Sequence, residues 1–180
     1  MGTSTIGIRL LTADDWETFR RIRLRALADT PQFFGSTLAD AQARTEQGWR
    51  AVLSERVQYV AVADGVELGT VGDGVELGAV GAGVELGTVG AMRDAERGGL
   101  HLVSMWVAPE ARGTGVSDLL VEAVLDWADT AGSPPVWLEV ADGNTVAERL
   151  YLRHGFVRTG VTGPVAPDDP RLEHELVRRR

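Results

Sequence analysis

An α/β or α+β fold, with helices packed on a mixed sheet, is what this 180-residue sequence predicts. Short β-rich runs recur along the chain, and segments with apolar residues at helical spacing lie between them. No linker-like stretch divides them, so residues 1–180 read as a single domain, long enough to bury a substantial core.

The elements follow in order. "IGIRLL" alternates and is β-rich, which predicts a first strand. Thr12 caps a helix over Ala13 to Ala28, with Asp14 and Asp15 in its positive first turn. Pro31 and Gly35 in "DTPQFFGST" break it, and a second helix runs from about Leu38 to Ser54. "VQYVAVA" is a strand. After it, residues 64–90 repeat one nine-residue phrase, "DGVELGTVG", three times with small changes. "LHLVSMWV" is the next strand, stopped by Pro109. From Gly115 to Thr130, Val116, Leu119, Leu120, Ala123, Val124 and Trp127 share one helical face. "VWLEV" is a strand, Asn144 caps a helix to Arg153 that Gly155 ends, and "FVRTG" and "RLEHELV" are the last strands.

Composition narrows the functions. Hydrophobic residues make up 44% and charged residues 24%, as in a soluble globular protein. No apolar run reaches membrane-span length, the N-terminus is unlike a secretory signal, and "GTSTI" matches the myristoylation pattern poorly. There is no cysteine, which rules out disulfides, thiolate metal sites and Cys nucleophiles and leaves a cytoplasmic location as the default. The net charge of −8 argues against non-specific nucleic-acid binding and suits a cationic substrate. In "RRIRLR", Arg20, Arg21, Arg23 and Arg25 spread around a helix and read as solvated.

The informative segment is "SMWVAPEARGTGVSDLLVEAVLDWA". A strand ends at a proline, Arg112 follows, two glycines are spaced by one residue, and a helix begins. Amides at a helix start are unpaired and carry partial positive charge, so a phosphate can lie against them where glycine permits close approach. Taken alone, the segment serves equally as a tight turn needing glycine for its dihedral angles. A second segment, "VWLEVADGNTVAERLYLRHGFVRTG", adds to it.

Together and in this order, the two resemble the GNAT superfamily of acetyl-CoA-dependent N-acetyltransferases. The first matches the Arg/Gln-x-x-Gly-x-Gly/Ala pyrophosphate motif at Arg112, Gly115 and Ser117, with serine in place of the usual small residue. The second matches Asn-x-x-Ala-x-x-x-Tyr-x-x-x-Gly-Phe at Asn144, Ala147, Tyr151, Gly155 and Phe156. The resemblance implies a mostly antiparallel twisted sheet flanked by about four helices. It implies acetyl-CoA as acyl donor, no metal, and acetyl transfer to a primary amine of a small molecule or a protein. Met105, Trp106 and Val107 then lie on the strand whose free backbone groups hold the pantetheine arm and the thioester carbonyl. Arg112, Gly113, Thr114, Gly115, Val116 and Ser117 form the pyrophosphate turn, with Asn144 and Tyr151 also against the cofactor. Tyr151 matches the general acid for the departing thiolate. His101 lies where some members place a base; Glu139, or a chain of waters, is the alternative.

A non-catalytic acyl-CoA-binding module of the same fold is the second reading. The expected partners are the amine acceptor and, at most, a second copy in a homodimer, with neither nucleic acid nor membrane. The repeat is too poor in acidic side chains for a calcium-binding β-roll. One copy suffices to complete a hairpin with "YVAVA", so two copies are surplus, a β insertion remote from the cofactor.

Overall fold

A computed structural model describes residues 5–64, 83–132 and 134–179. Seven strands form one sheet, β1 (Ile6–Leu10), β2 (Val57–Asp64), β3 (Gly83–Asp94), β4 (Gly99–Val107), β5 (Val136–Ala141), β6 (Val157–Pro164) and β7 (Leu172–Arg178), in the order β1-β2-β3-β4-β5-β7-β6. All neighbours are antiparallel except β4 and β5, whose connection contains a helix, as a parallel pair requires. The described helices are α1 (Trp16–Asp29), α2 (Leu38–Ala43), α3 (Glu46–Glu55), α4 (Val116–Thr130) and α5 (Thr145–Arg153). None is long and apolar enough to cross a membrane. The mixed, mostly antiparallel sheet expected from the sequence is the one observed.

α4 carries the central packing. Val116, Leu120, Val121 and Val124 are fully buried, and its apolar stripe lies against the sheet with Leu100, Leu138 and Leu176 in the same core. On α1, Phe19, Ile22 and Ala26 are buried, and Phe19 meets Trp49 of α3 edge-on with ring centroids 5.3 Å apart.

Two helix expectations are corrected. The first helix begins later, because Ala13–Asp15 form a 3-10 turn in which the Thr12 amide donates to the Asp15 carboxylate at 2.8 Å. The single helix expected over Leu38 to Ser54 is two. Arg44 is extended (ψ 130°), and the Thr45 hydroxyl accepts from the Gly48 amide, so an internal cap outweighs the continuous pattern. Five α-helices among the described residues therefore accompany the sheet.

The arginines of "RRIRLR" are also not uniformly solvated. Arg20 is exposed, but Arg21 pairs with the buried carboxylate of Glu85, Arg23 is only 9% exposed, and Arg25 lies over the Trp106 ring at 5.3 Å.

The third copy of the repeat is strand β3. It pairs with β2 from Asp64↔Gly83 to Val57↔Ala91, so one copy does supply the returning strand. The two copies expected to be surplus run from Asp64 to Gly81; apart from Asp64, the end of β2, they lie outside the described residues, as does Ala82. In the third copy the glycine spacing has a packing role, since a Cβ at Gly87 would stand 2.8 Å from the Trp106 carbonyl oxygen on β4.

Candidate active site

β4 and β5 pair at Leu100↔Val136 and His101↔Trp137 and then part, with no further pairs among the described residues. Just past the fork β4 carries a bulge: Gly90 faces Val103 and Thr88 faces Trp106, one more residue on β4 than on β3. Ser104 sits there at φ 58°, uncommon for a residue with a side chain. The parted strands leave a small cleft of about 140 Å³ between Leu102–Met105 and Glu139–Ala141, closed by Phe33, Phe34, Asn144 and Tyr151.

A larger cleft of about 580 Å³ shares Met105, Asn144 and Ala147 with it and extends to the start of α4. Gly113 and Gly115 line this cleft at φ 77° and 89°, where side chains are strained, and a Cβ on either would meet nothing within 4 Å. Gly115 is also the N-cap of α4, so the Val116 and Ser117 amides have no acceptor within the helix. An open glycine surface ending in unpaired amides fits a pyrophosphate.

Most of the expected cofactor residues converge. Met105, Trp106, Val107, Arg112, Gly113, Gly115, Ser117 and Asn144 all line the larger cleft. Thr114 and Val116 do not: the Thr114 hydroxyl donates to the Ala111 carbonyl at 2.7 Å, and the Val116 side chain is in the core. Trp106 buries its indole and donates Nε1–H to Asp29 at 2.9 Å. Asp29 also pairs with Arg112, whose Nε donates to the Val107 carbonyl at 3.2 Å. The guanidinium is thereby held at the rim. The Asn144 side chain caps α5, accepting from the Ala147 amide at 3.2 Å.

Sequence reading missed Arg153, a second cation on the larger cleft, bonded to Asp118 at 2.9 Å. Burial opposes ionisation of Asp118, but hydrogen bonds from Arg153 and His154 outweigh it and hold its pKa below the ordinary value. His154 thus serves as an Asp118 partner at 2.9 Å as well as a helix-end residue.

Tyr151 lines the small cleft at 4% exposure, its ring edge-on to Phe156 at 5.6 Å. Burial pushes its pKa above the ordinary phenol value, which keeps the hydroxyl protonated. His101 bonds through Nε2 to Glu139, and of the two it is Glu139 that lines the cleft.

Around this pair lies a polar face not recognised in the sequence. Register places Glu139 opposite Glu175 and Ala141 opposite Glu173, so both β7 carboxylates share a face with Glu139. Arg97 bridges Glu139 and Glu175 at 3.3 and 3.0 Å. Glu173 has no ion-pair partner among the described residues; burial pushes its pKa up to about 7, helped by Glu139 and opposed by His101. The alternation in "LEHELV" is a signal for this face.

The sheet is thus forked beside a glycine-rich helix start, with a protonated tyrosine at the fork. The acetyltransferase (GNAT) family matches residues 24–156, and the chain belongs to that family. It is 32% identical over 155 residues to a mycothiol acetyltransferase of Thermobispora bispora, an alignment covering 84% of this chain and 47% of that protein. The chain spans about half the length of such a relative. A Streptococcus pneumoniae acetyltransferase of the same family superposes with TM-score 0.71 at 18% identity, covering 97% of this chain and 98% of that one. An Arabidopsis thaliana protein solved with acetyl-CoA superposes with TM-score 0.61 at 18% identity over 96% and 97% of the two chains. At these identities the two structures speak to the fold.

Proposed function

We propose that the chain transfers the acetyl group of acetyl-CoA to a primary amine of a small molecule or a protein. The convergence of the glycine-rich start of α4, the parted strand β4 and Tyr151 on adjoining clefts carries this reading. In it, the amides at Val116 and Ser117 hold the pyrophosphate, with Arg112 and Arg153 as flanking cations. Backbone N–H groups of Met105–Val107 hold the pantetheine arm, and one of them stabilises the oxyanion as the amine attacks.

An alkylammonium with a pKa near 10.4 must lose a proton before it attacks, and Glu139, on the cleft and backed by His101, receives it. When the C–S bond breaks, the Tyr151 hydroxyl donates its proton to the thiolate, and the second proton shed by the attacking nitrogen restores the hydroxyl.

Thiol release from acetyl-CoA across a panel of amines, with product masses, tests this reading. Gly115→Glu puts a carboxylate against the helix start and should abolish CoA binding, while Arg112→Ala should weaken it by roughly 1.5–3 kcal/mol. Equal CoA binding by wild type and both variants would move the cofactor site elsewhere.

A further inference from the structure

Behind Phe34, which closes the small cleft, α1, α3 and the residues flanking α3 bring together a cluster of cations and rings. Arg23 lies over Phe34 at 4.5 Å, Arg56 over Phe19 at 5.2 Å, and Arg44 over Trp49 at 4.9 Å. Phe19 and Trp49 touch each other, so Arg56 and Arg44 cover one aromatic pair, and Arg23, one helical turn from Phe19 on α1, covers a third ring, Phe34. They form a graded series: Arg44 is exposed, Arg56 half-buried, and Arg23 more than nine-tenths buried.

Three donors in the cluster lack acceptors. Nη1 of Arg23, Nε of Arg56 and Nε1 of Trp49 are buried without a hydrogen-bond partner among the described residues, and Arg23 bonds only through Nη2, to the Ser36 hydroxyl at 3.2 Å. Carboxylates close to these arginines in the sequence are engaged with other groups or exposed. Asp40 accepts from Thr37, Glu46 is paired with Arg50, Asp15 with Arg9, and Glu55 is exposed. Burial, then mutual repulsion, lowers the pKa of Arg23 and of Arg56 to about 10. Both remain cations near neutral pH. A chain of net charge −8 thus brings together three arginines with no ion-pair partner, and three unpaired donors, among the described residues. Unpaired buried donors and charges are costly, and one multivalent acceptor would satisfy them together.

We propose that Arg23, Arg44 and Arg56 form a binding site for a small oxyanion, either phosphate or a carboxylate, separate from the pyrophosphate turn. Arg44 meets the anion at the surface, Arg56 and Arg23 supply the inner donors, and the rings beneath them exclude water.

Thermal unfolding of the full chain, without CoA, tests it with inorganic phosphate and with glutarate, each against chloride at equal ionic strength. Wild type should gain about 5–10 °C at a hundredfold excess over Kd in whichever anion fits, and the two arms separate phosphate from carboxylate. Arg23→Met should lose that gain, yet melt no lower than wild type in chloride, since it removes an unpaired buried charge. Arg44→Ala, at the exposed end, should weaken the anion response with little change in chloride. A wild-type melting temperature indifferent to both anions overturns the site, as does an equal gain in wild type and Arg23→Met. A large loss of stability in Arg23→Met in chloride would show instead that the cluster is satisfied without an anion.

Discussion

Tyr151 has a buried ring and a raised pKa, and both keep its proton in place until a leaving group takes it. A thiol with a pKa of about 8.5 leaves fairly well unaided, so Tyr151→Phe should lower turnover by about 10²-fold, the low end for general acid catalysis. CoA affinity measured by calorimetry should hardly change. Glu173 gives a prediction in pH. Its folded pKa, about 7, stands above the ordinary 4.5, so its contribution to stability is complete below about 4.5 and is lost as pH rises through 7. Solvent screening of a half-exposed carboxylate limits this to about 1 kcal/mol. Glu173→Gln should flatten the decline in stability between those pH values, read from urea midpoints. Motif residues such as Gly115 and Tyr151 were legible because their spacing is local in the sequence. Glu173 and Arg23 were not, because one depends on the β5–β7 register and the other on how α1 packs against α3.

At the scale of elements, most strands were legible from alternation and turn residues, and the helices from apolar period. The missed break at Arg44 came from one capping hydroxyl, which a periodicity window averages away. The repeat is the more testable case. Asp64 faces Gly83 and Ala63 faces Val84, so deleting residues 65–82 joins Asp64 to Gly83 directly. That leaves Asp-Gly as a two-residue hairpin loop, a favoured sequence for such a turn. The shortened chain should fold, bind CoA and turn over as the full chain does. A folded but inactive deletion, by circular dichroism and thiol release, would give the repeat a part in the acceptor site.

Across the whole molecule, one ion pair ties the helical layer to the repeat-derived strand. Arg21 on α1 meets Glu85 on β3, which is 2% exposed, and the Arg25 guanidinium donates to the Glu85 carbonyl at 3.3 Å. Arg21→Met should cost about 3 kcal/mol in chemical denaturation, because it strands a buried carboxylate, whereas the double variant Arg21→Met/Glu85→Gln should recover much of it.

The fork between β4 and β5 has a consequence for how the molecule opens. β1 to β4 form one bonded ladder and β5, β7 and β6 another, and two residue pairs join them at one end. Such a seam separates cooperative units, so native-state amide exchange should resolve two foldons, with the β5–β7–β6 amides exchanging through a sub-global opening at lower free energy than those of β2 to β4. A ligand spanning the seam binds only when both units are closed. Saturating CoA should therefore slow exchange in the β6–β7 hairpin, whose strands do not line the larger cleft.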